Sequence, residues 1–374
     1  MTITLEQAHE LPKVLLHDHL DGGLRVATIM ELAASIGWTL PEADPDELQT
    51  WFTRGAETAD LLQYLATFEH TLAVMQTPDH IERIAYEAAI DLAGDGVVYA
   101  EVRFAPELHQ QLGLALEAVV EAVTAGFRRG EAAAAEAGST IVVNAILCAM
   151  RTGHRSVEIA QLVDRLRSWD DKVVAFDLAG AETGFAPSLH AESLAFARSA
   201  LLNITIHASE PPDLELISDA LAHGAHRIGH GVRLRSDTNL VDATDAASVR
   251  TTELVLGPLA QYVLDHQIHL EMAPTCNVQI GAVPNVAEHP IGPFLRAGFN
   301  VGYNTDNRLM SGVSLTDEYV RCAQYLNFDI DTLAMLAITS FDSAFLPHVE
   351  RDALRETIAI DVGNLLAEAE GMAV

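Results

Sequence analysis

The chain has 374 residues, of which 49% are hydrophobic, and a formal net charge of −31. This length fits two average domains or one large α/β barrel with insertions, while the negative charge argues against nucleic acid or an anionic membrane as a partner. The three cysteines are widely spaced and do not suggest a disulfide framework. The sequence has no apolar run long enough to cross a bilayer and no signal segment, so we expect a cytoplasmic protein.

Eight short apolar runs predict β-strands, and helix-compatible stretches separate them. In chain order the predicted strands are Val14–His19, Val97–Phe104, Thr140–Leu147, Val173–Leu178, Ile204–His207, Arg227–His230, His269–Met272 and Phe299–Asn304. Eight alternations of strand and helix predict an α/β fold, a closed (β/α)8 TIM barrel, as a single domain over 1–374.

One connection, the segment 29–93 after the first strand, is too long for a simple crossover and predicts a helical insertion. Within it, five apolar residues recur at helical spacing, namely Leu61, Leu62, Tyr64, Leu65 and Phe68. Ordinary core packing is the favoured interpretation of this cluster. The alternative is an apolar lid over the mouth of the barrel.

Function in a parallel barrel gathers at the carboxyl ends of the strands. The first predicted strand ends with His17 and His19, whose imidazoles point to one face because side chains alternate along a strand. The fifth, sixth and eighth strands end at His207, His230 and Asp306. Four of the eight strands therefore bring a metal-binding or acid–base residue to one face of the barrel.

Three imidazoles and one carboxylate suit a divalent metal, and we expect Zn²⁺. The candidate ligands are His17, His19, His207 and Asp306. A bound zinc ion lowers the pKa of a water molecule to about 7. One ion per chain is expected, because many two-metal barrels bridge their metals with a modified lysine at the end of the fourth strand. Here Lys172 stands at the beginning of that strand.

Two residues near these ligands are candidates for proton transfer. His230 is placed either to position or to deprotonate the water. Glu210, three residues past His207, is placed to carry a proton to the substrate. A carboxylic acid can do so only if apolar or anionic surroundings raise its pKa.

Other polar residues near the strand ends allow more than one interpretation. Cys276 can be interpreted as a reactive thiol or as a small buried residue, and we favour the second interpretation. Arg103 can be interpreted as a substrate-binding residue or as part of an ion pair inside the barrel, and we again favour the second. Asp177 is expected to hold a ligand histidine. Ten of the twelve other histidines, His289 among them, are expected at the surface or behind the site.

Six short motifs follow one another at barrel spacing, and six in order are far more specific than one. They are Leu16–Gly22, Tyr99–Pro106, Val174–Gly180, His207–Glu210, Ile228–Gly231 and Asn304–Asn307. From about Leu11 to Pro347 the chain resembles the adenosine deaminase branch of the amidohydrolase superfamily. The resemblance implies a mononuclear zinc enzyme that hydrolyses the 6-amino group of a purine nucleoside.

The resemblance also implies roles for individual residues. The four candidate ligands match the zinc ligands of the family. Glu210 matches the acid that protonates purine N1, His230 matches the histidine that assists the attacking water, and Asp306 helps to hold the attacking oxygen. Negative charge then does not build up on the purine ring, and ammonia leaves from the resulting intermediate.

The implied substrate contacts involve four positions, namely His19, Asp21, Gly180 and Asn307. Asp21 matches the contact to the ribose 5′-hydroxyl and favours a nucleoside over free adenine, for which relatives tend to carry Glu. Gly180 matches a backbone contact to purine N3. Asn307 replaces the Asp of many relatives, and its amide donates to N7 without first needing a proton.

A second departure from the family is Ser209, where relatives usually have Gly, and we expect it to crowd the pocket or bend the loop. The expected partner is a small purine nucleoside; the oligomeric state is not predicted. One alternative is a sister deaminase of a 5′-thio or N6-substituted adenine nucleoside. A non-catalytic purine-binding homologue would lack a ligand or the acid, and neither is missing. The absent fourth-strand lysine disfavours a hydrolase of amides or phosphoesters.

Overall fold

The computed structural model describes residues 3–57, 61–244 and 250–371. Within these ranges there are ten strands: β1 (Lys13–His19), β2 (Val97–Phe104), β3 (Val142–Met150), β4 (Val173–Ala179), β5 (Thr205–Ala208), β6 (Arg227–His230), β7 (Thr238–Thr244), β8 (Arg250–Leu256), β9 (His269–Met272) and β10 (Val301–Tyr303). All eight predicted strands are present, with ends that differ by up to three residues. The antiparallel pair β7 and β8 was not predicted, because its Thr-rich sequence has no apolar run longer than three residues.

The barrel strands form two parallel four-stranded sheets, β1-β2-β3-β4 and β5-β6-β9-β10. Single parallel bridges join the two sheets at both edges, Phe176 with Ile204 and Asp18 with Asp306. Backbone hydrogen bonds of 2.7 and 3.0 Å on either side of Asp306 support the second junction. The eight strands therefore close on themselves, and the predicted TIM barrel is confirmed.

The α-helices of the described residues cover the barrel and fill its longest connection. They are α1 (Leu5–Glu10), α2 (Val26–Ile36), α3 (Pro45–Ala56), α4 (Leu61–Ala66), α5 (Phe68–Val74), α6 (Pro78–Gly94), α7 (Leu116–Glu136), α8 (Ser156–Leu166), α9 (Ala191–Ser199), α10 (Glu215–Ala222), α11 (Pro258–Asp265), α12 (Pro274–Gln279), α13 (Ile291–Arg296), α14 (Arg308–Ser311), α15 (Leu315–Leu326), α16 (Ile330–Asp342) and α17 (His348–Gly371). None of them, as far as the chain is described, has the length and apolarity that a bilayer crossing requires.

The connection between β1 and β2 contains helices of two kinds. The long helix α6 begins after the capping residue Thr77 and packs along α7, so it serves as an outer helix of the barrel. The four preceding helices, α2 to α5, are the insertion itself. The helical insertion expected over 29–93 is present, but it ends with α5, because the last part of that segment is the outer helix α6. Helices α4 and α5 bring the apolar residues of the insertion to the carboxyl end of the barrel.

Candidate metal centre and active site

Four side chains converge at the carboxyl ends of the strands. One ligand atom from each of His17, His19, His207 and Asp306 lies within 4.8 Å of the other three. Nε2 of His17 is 3.1 Å from Oδ1 of Asp306, and Nε2 of His19 is 3.3 Å from the same oxygen. Nε2 of His19 also lies 3.2 Å from Nε2 of His207. The structure thus brings together all four residues that the sequence singled out as ligands.

The proton positions on two of these rings suit metal binding. Nδ1 of His17 donates to Oε2 of Glu271 at 2.8 Å, and Nδ1 of His207 lies 3.0 Å from Oδ2 of Asp177. With the proton on Nδ1, each neutral ring offers a lone pair at Nε2. Burial lowers the pKa of His207 to about 4. Nε2 of His17 is buried and has no hydrogen-bond partner in the described residues, so the site fits a divalent cation.

One buried arginine joins the two carboxylates behind the ligands. Arg103 donates to Asp177 at 2.9 Å and to Glu271 at 2.7 Å, and all three side chains are fully buried. The favoured ion pair of Arg103 is therefore confirmed, as is the role of Asp177 in holding a ligand histidine. Glu271 was not predicted, although a glutamate inside the apolar strand β9 signals a buried, paired charge.

A cavity of about 230 Å³ opens beside the ligand cluster. Every other predicted site residue, namely Asp21, Gly180, Glu210, His230 and Asn307, contributes to its wall. This volume lies just below the range typical of drug-sized ligands, about 300–1,000 Å³. The cavity therefore suits one small molecule held against the metal ligands.

The mouth of the cavity is covered by the helical insertion. Tyr64, Leu65 and Phe68 line the cavity, together with Leu72 from α5. Tyr64 is also part of the buried core, so the apolar cluster both packs and covers the site. The side chains at positions 61 and 62 lie outside the described part of the structure.

Glu210 shares a buried setting with a second carboxylate. Burial, and then the charges of Glu182 and Asp306, raise the pKa of Glu210 well above its usual range. Glu182 accepts the backbone N–H groups of Ser209, at 2.6 Å, and Glu210, at 3.3 Å, and Arg151 lies 3.9 Å away. Burial raises the pKa of Glu182 as well, but these interactions partly offset the rise. The pKa of Glu210 is raised further, so the proton of this pair remains on Glu210. Glu182 and Arg151 were not singled out from the sequence.

The backbone at three strand ends is left-handed without glycine. Ser209, His230 and Asp306 have φ values of +74°, +60° and +58°. This conformation costs a residue with a β-carbon roughly 1–2 kcal/mol, and such strain is typical of functional sites. A glycine at position 209 would avoid that cost. Ser209 thus forms a strained turn directly before Glu210.

His230 is linked to Asn277, which the sequence did not indicate, and through it to His289. Its Nε2 lies 3.3 Å from Oε1 of Glu210, and its Nδ1 lies 3.1 Å from Nδ2 of Asn277. Oδ1 of Asn277 is 3.2 Å from Nε2 of His289, whose Nδ1 accepts the N–H of Ile291 at 3.2 Å. Burial, and then the neighbouring histidines, lower the pKa of His230 well below its usual value.

Two neutral donors hold the outer oxygen of Asp306. Nδ2 of Asn307 donates to Oδ2 at 2.6 Å, and Sγ of Cys276 donates to the same atom at 2.8 Å. Burial raises the pKa of the Cys276 thiol, which keeps it protonated and unreactive, so the favoured buried role is confirmed. Oδ1 of Asn307 faces Gly22, where a β-carbon would lie only 2.0 Å away. The second N–H of the Asn307 amide remains for a ligand.

Comparisons with known proteins identify the family to which this chain is similar. The model of the adenosine deaminase family matches residues 12–360. An adenosine deaminase of Mycobacterium sp. (strain KMS) is 47% identical over 358 residues, covering 95% of this chain and 96% of that protein. Adenosine deaminase 1 of Streptomyces coelicolor is 47% identical over 351 residues, covering 93% and 86%.

Solved structures share the fold along nearly the whole chain. An adenine deaminase from Arthrobacter aurescens superposes with a TM-score of 0.77 at 26% identity, covering 94% of this chain and 99% of that one. An amidohydrolase from Burkholderia ambifaria, solved with bound Zn, gives a TM-score of 0.82 at 21% identity, covering 99% and 96%. With the family model matched over most of its length, the chain belongs to the adenosine deaminase family.

Proposed function

We propose that this chain catalyses the zinc-dependent hydrolysis of adenosine, and of 2′-deoxyadenosine, to the inosine product and ammonia. The observation that carries the proposal is the convergence of four candidate metal ligands and the buried Glu210 on one small cavity. The 47% identity to a curated adenosine deaminase over 95% of the chain supports the choice of substrate.

The proposed metal is one Zn²⁺ ion per chain, held by His17, His19, His207 and Asp306. Imidazole nitrogens with one carboxylate are a ligand set that zinc accepts. When bound, zinc would supply hydroxide near neutral pH by lowering the pKa of a water molecule. A single ion is proposed because Lys172 precedes β4 and pairs there with Glu131, far from the carboxyl ends of the strands.

Glu210 is proposed as the proton donor. Its raised pKa keeps the carboxyl group protonated, so it can donate to N1 as oxygen attacks C6. Protonation of N1 prevents negative charge from accumulating on the purine ring. His230, at the end of β6, and Asp306, just after β10, would face the attacking oxygen from strands that β9 separates. The hydroxyl proton of the resulting intermediate is then transferred to the amino group, the carbon–nitrogen bond at C6 breaks, and ammonia leaves a 6-oxopurine behind. The other proton of the attacking water restores the acid form of Glu210.

The remaining wall of the cavity is proposed to orient the nucleoside. Asp21 is buried, and its Oδ1 has no partner among the described residues, so it can accept a hydrogen bond from the 5′-hydroxyl. His19, partly exposed beside it, faces the same end of the substrate. Gly180 has a φ of +94°, and a β-carbon there would lie 2.8 Å from Cε of Met150. Glycine thus leaves its backbone open to N3.

The first test is turnover of adenosine by the purified protein, followed through the ultraviolet absorbance change as inosine forms, with metal analysis of the same sample. Rapid turnover with one zinc per chain is the expected result. Bound zinc without turnover would contradict adenosine as the substrate. In that case a panel of 5′-thio and N6-substituted adenosines tests the alternative of a sister deaminase, for which Ser209 is the first residue to examine.

Asn307→Ala is expected to weaken adenosine binding more than binding of 7-deazaadenosine, which lacks the N7 acceptor. A lost hydrogen bond to a neutral acceptor is worth about 0.5–1.5 kcal/mol, so the difference in affinity is roughly 2- to 12-fold. The substitution also removes the bond to Asp306, but that loss affects both ligands equally. Inhibition constants for the two compounds give the ratio, and equal losses would rule out the N7 contact.

A further inference from the structure

A relay of buried side chains behind His230 determines which of its ring nitrogens carries the proton. The relay begins at the backbone N–H of Ile291, in the first turn of α13. A backbone N–H can only donate, so Nδ1 of His289, 3.2 Å away, accepts. His289 is buried, and burial lowers its pKa to about 3, so the ring is neutral. Its single proton therefore resides on Nε2.

The next step fixes the orientation of an amide. Nε2–H of His289 lies 3.2 Å from the side chain of Asn277, and only the amide oxygen can accept from it. The opposite orientation of the amide would place two donors against each other. Asn277 is fully buried in α12, so its NH₂ group is turned toward Nδ1 of His230 at 3.1 Å.

The last step concerns His230 itself. Because Nδ2 of Asn277 donates, Nδ1 of His230 accepts, and the proton of the neutral ring is on Nε2. That nitrogen faces the cavity and lies 3.3 Å from Oε1 of Glu210. The unusual left-handed φ of His230, +60°, keeps the ring in this position at the end of β6.

We propose that Asn277 and His289 are positioning residues that hold His230 as an Nε2–H donor. In this tautomer His230 donates a hydrogen bond to the attacking oxygen and has no lone pair at Nε2 with which to remove a proton from water. Of the two roles open to His230, positioning is therefore assigned and deprotonation is excluded. The proposal rests on the proposed function, since it names what His230 does in that reaction.

Asn277→Asp tests the proposal with almost no change of shape. An Asp oxygen still accepts from Nε2–H of His289, but its other oxygen cannot donate to His230. The proton of His230 then moves to Nδ1, and Nε2 presents a lone pair to the cavity. Loss of one preorganised donor is expected to lower kcat by about 10²-fold, with KM and zinc content close to those of the wild type. A base at Nε2 would instead keep or raise kcat.

Nitrogen-15 spectra of the zinc-loaded protein with labelled histidine report the tautomer directly. We expect the Nε2–H pattern for His230 in the wild type and the Nδ1–H pattern in Asn277→Asp, with the signals assigned through His230→Gln. An Nδ1–H pattern in the wild type would overturn the proposal. This readout is independent of turnover, so a wild type that is inactive toward adenosine refutes the proposed function and leaves the relay open to this test.

A matched control changes another asparagine beside a histidine. Asn300 accepts from Nδ1 of His269 at 2.7 Å at the amino end of β9, away from the site. Asn300→Asp should leave kcat near the wild-type value.

If Asn277→Asp unfolds, His289→Gln and His289→Glu give a second comparison. Only Gln can donate to Oδ1 of Asn277, so its kcat should exceed that of Glu; equal kcat values would overturn the proposal.

Discussion

Glu210→Gln is expected to lower kcat for adenosine by about 10²–10⁴-fold, the usual contribution of general acid catalysis, while the bound metal is retained. Gln has the same shape and can donate a hydrogen bond to N1, but it cannot transfer a proton. Glu210 contributes no ligand atom to the cluster of His17, His19, His207 and Asp306. Steady-state kinetics and metal analysis of the same sample measure both quantities.

An exposed glutamate provides the matched control for this experiment. Glu192 lies in the first turn of α9 and is exposed to solvent. Glu192→Gln should therefore leave kcat and metal content unchanged. A Glu210→Gln protein with kcat within a few-fold of the wild type would show that Glu210 is not the proton donor. A protein that also lost its metal would show that Glu210 supports the ligands instead.

His19→Ala is expected to release the metal and, with it, nearly all activity. The substitution removes one of four converging ligand atoms, whose neighbours at 3.2 and 3.3 Å belong to His207 and Asp306. Binding of a ligand to the folded state alone stabilises it by about 2.7 kcal/mol when the free concentration is 100 times Kd. The melting temperature of the wild type should therefore rise when zinc is added to the metal-free protein, and that of the variant should not.

A surface histidine is the control for the metal experiment. The side chain of His348 is 75% exposed and pairs only with Asp352 on its own helix among the described residues. His348→Ala should retain the metal and the thermal response to zinc. Full zinc occupancy in His19→Ala would refute the assignment of His19 as a ligand.

The barrel and the ligands could be predicted because both follow from local sequence. The alternation of apolar residues along a strand and their helical spacing along a helix can be read from short stretches of sequence. The carboxyl ends of the predicted strands then place His17, His207 and Asp306 at the same end of the barrel. The residues behind the ligands are different. Glu271 and Glu182 could have been suspected as charges among apolar neighbours, but which histidine or loop each one holds depends on how distant strands come together.

The relay behind His230 could not have been found from the sequence. Asn277 lies in the short helix α12 and His289 in the connection before α13, and neither position follows a strand period. Their contact depends on how the segment after β9 folds back under β6. The antiparallel pair of β7 and β8 could not be predicted either, because its largely polar sequence has too few apolar residues to indicate a strand.

The two bridges that close the barrel give the metal centre a second consequence. His17 and His19 belong to the sheet of β1 to β4, whereas His207 and Asp306 belong to or follow strands of the other sheet. An ion bound to all four residues would link the two sheets of the barrel. Part of its binding free energy would then add to the free energy of unfolding. A bound metal ion would therefore add to the stability of the barrel as well as supply its chemistry.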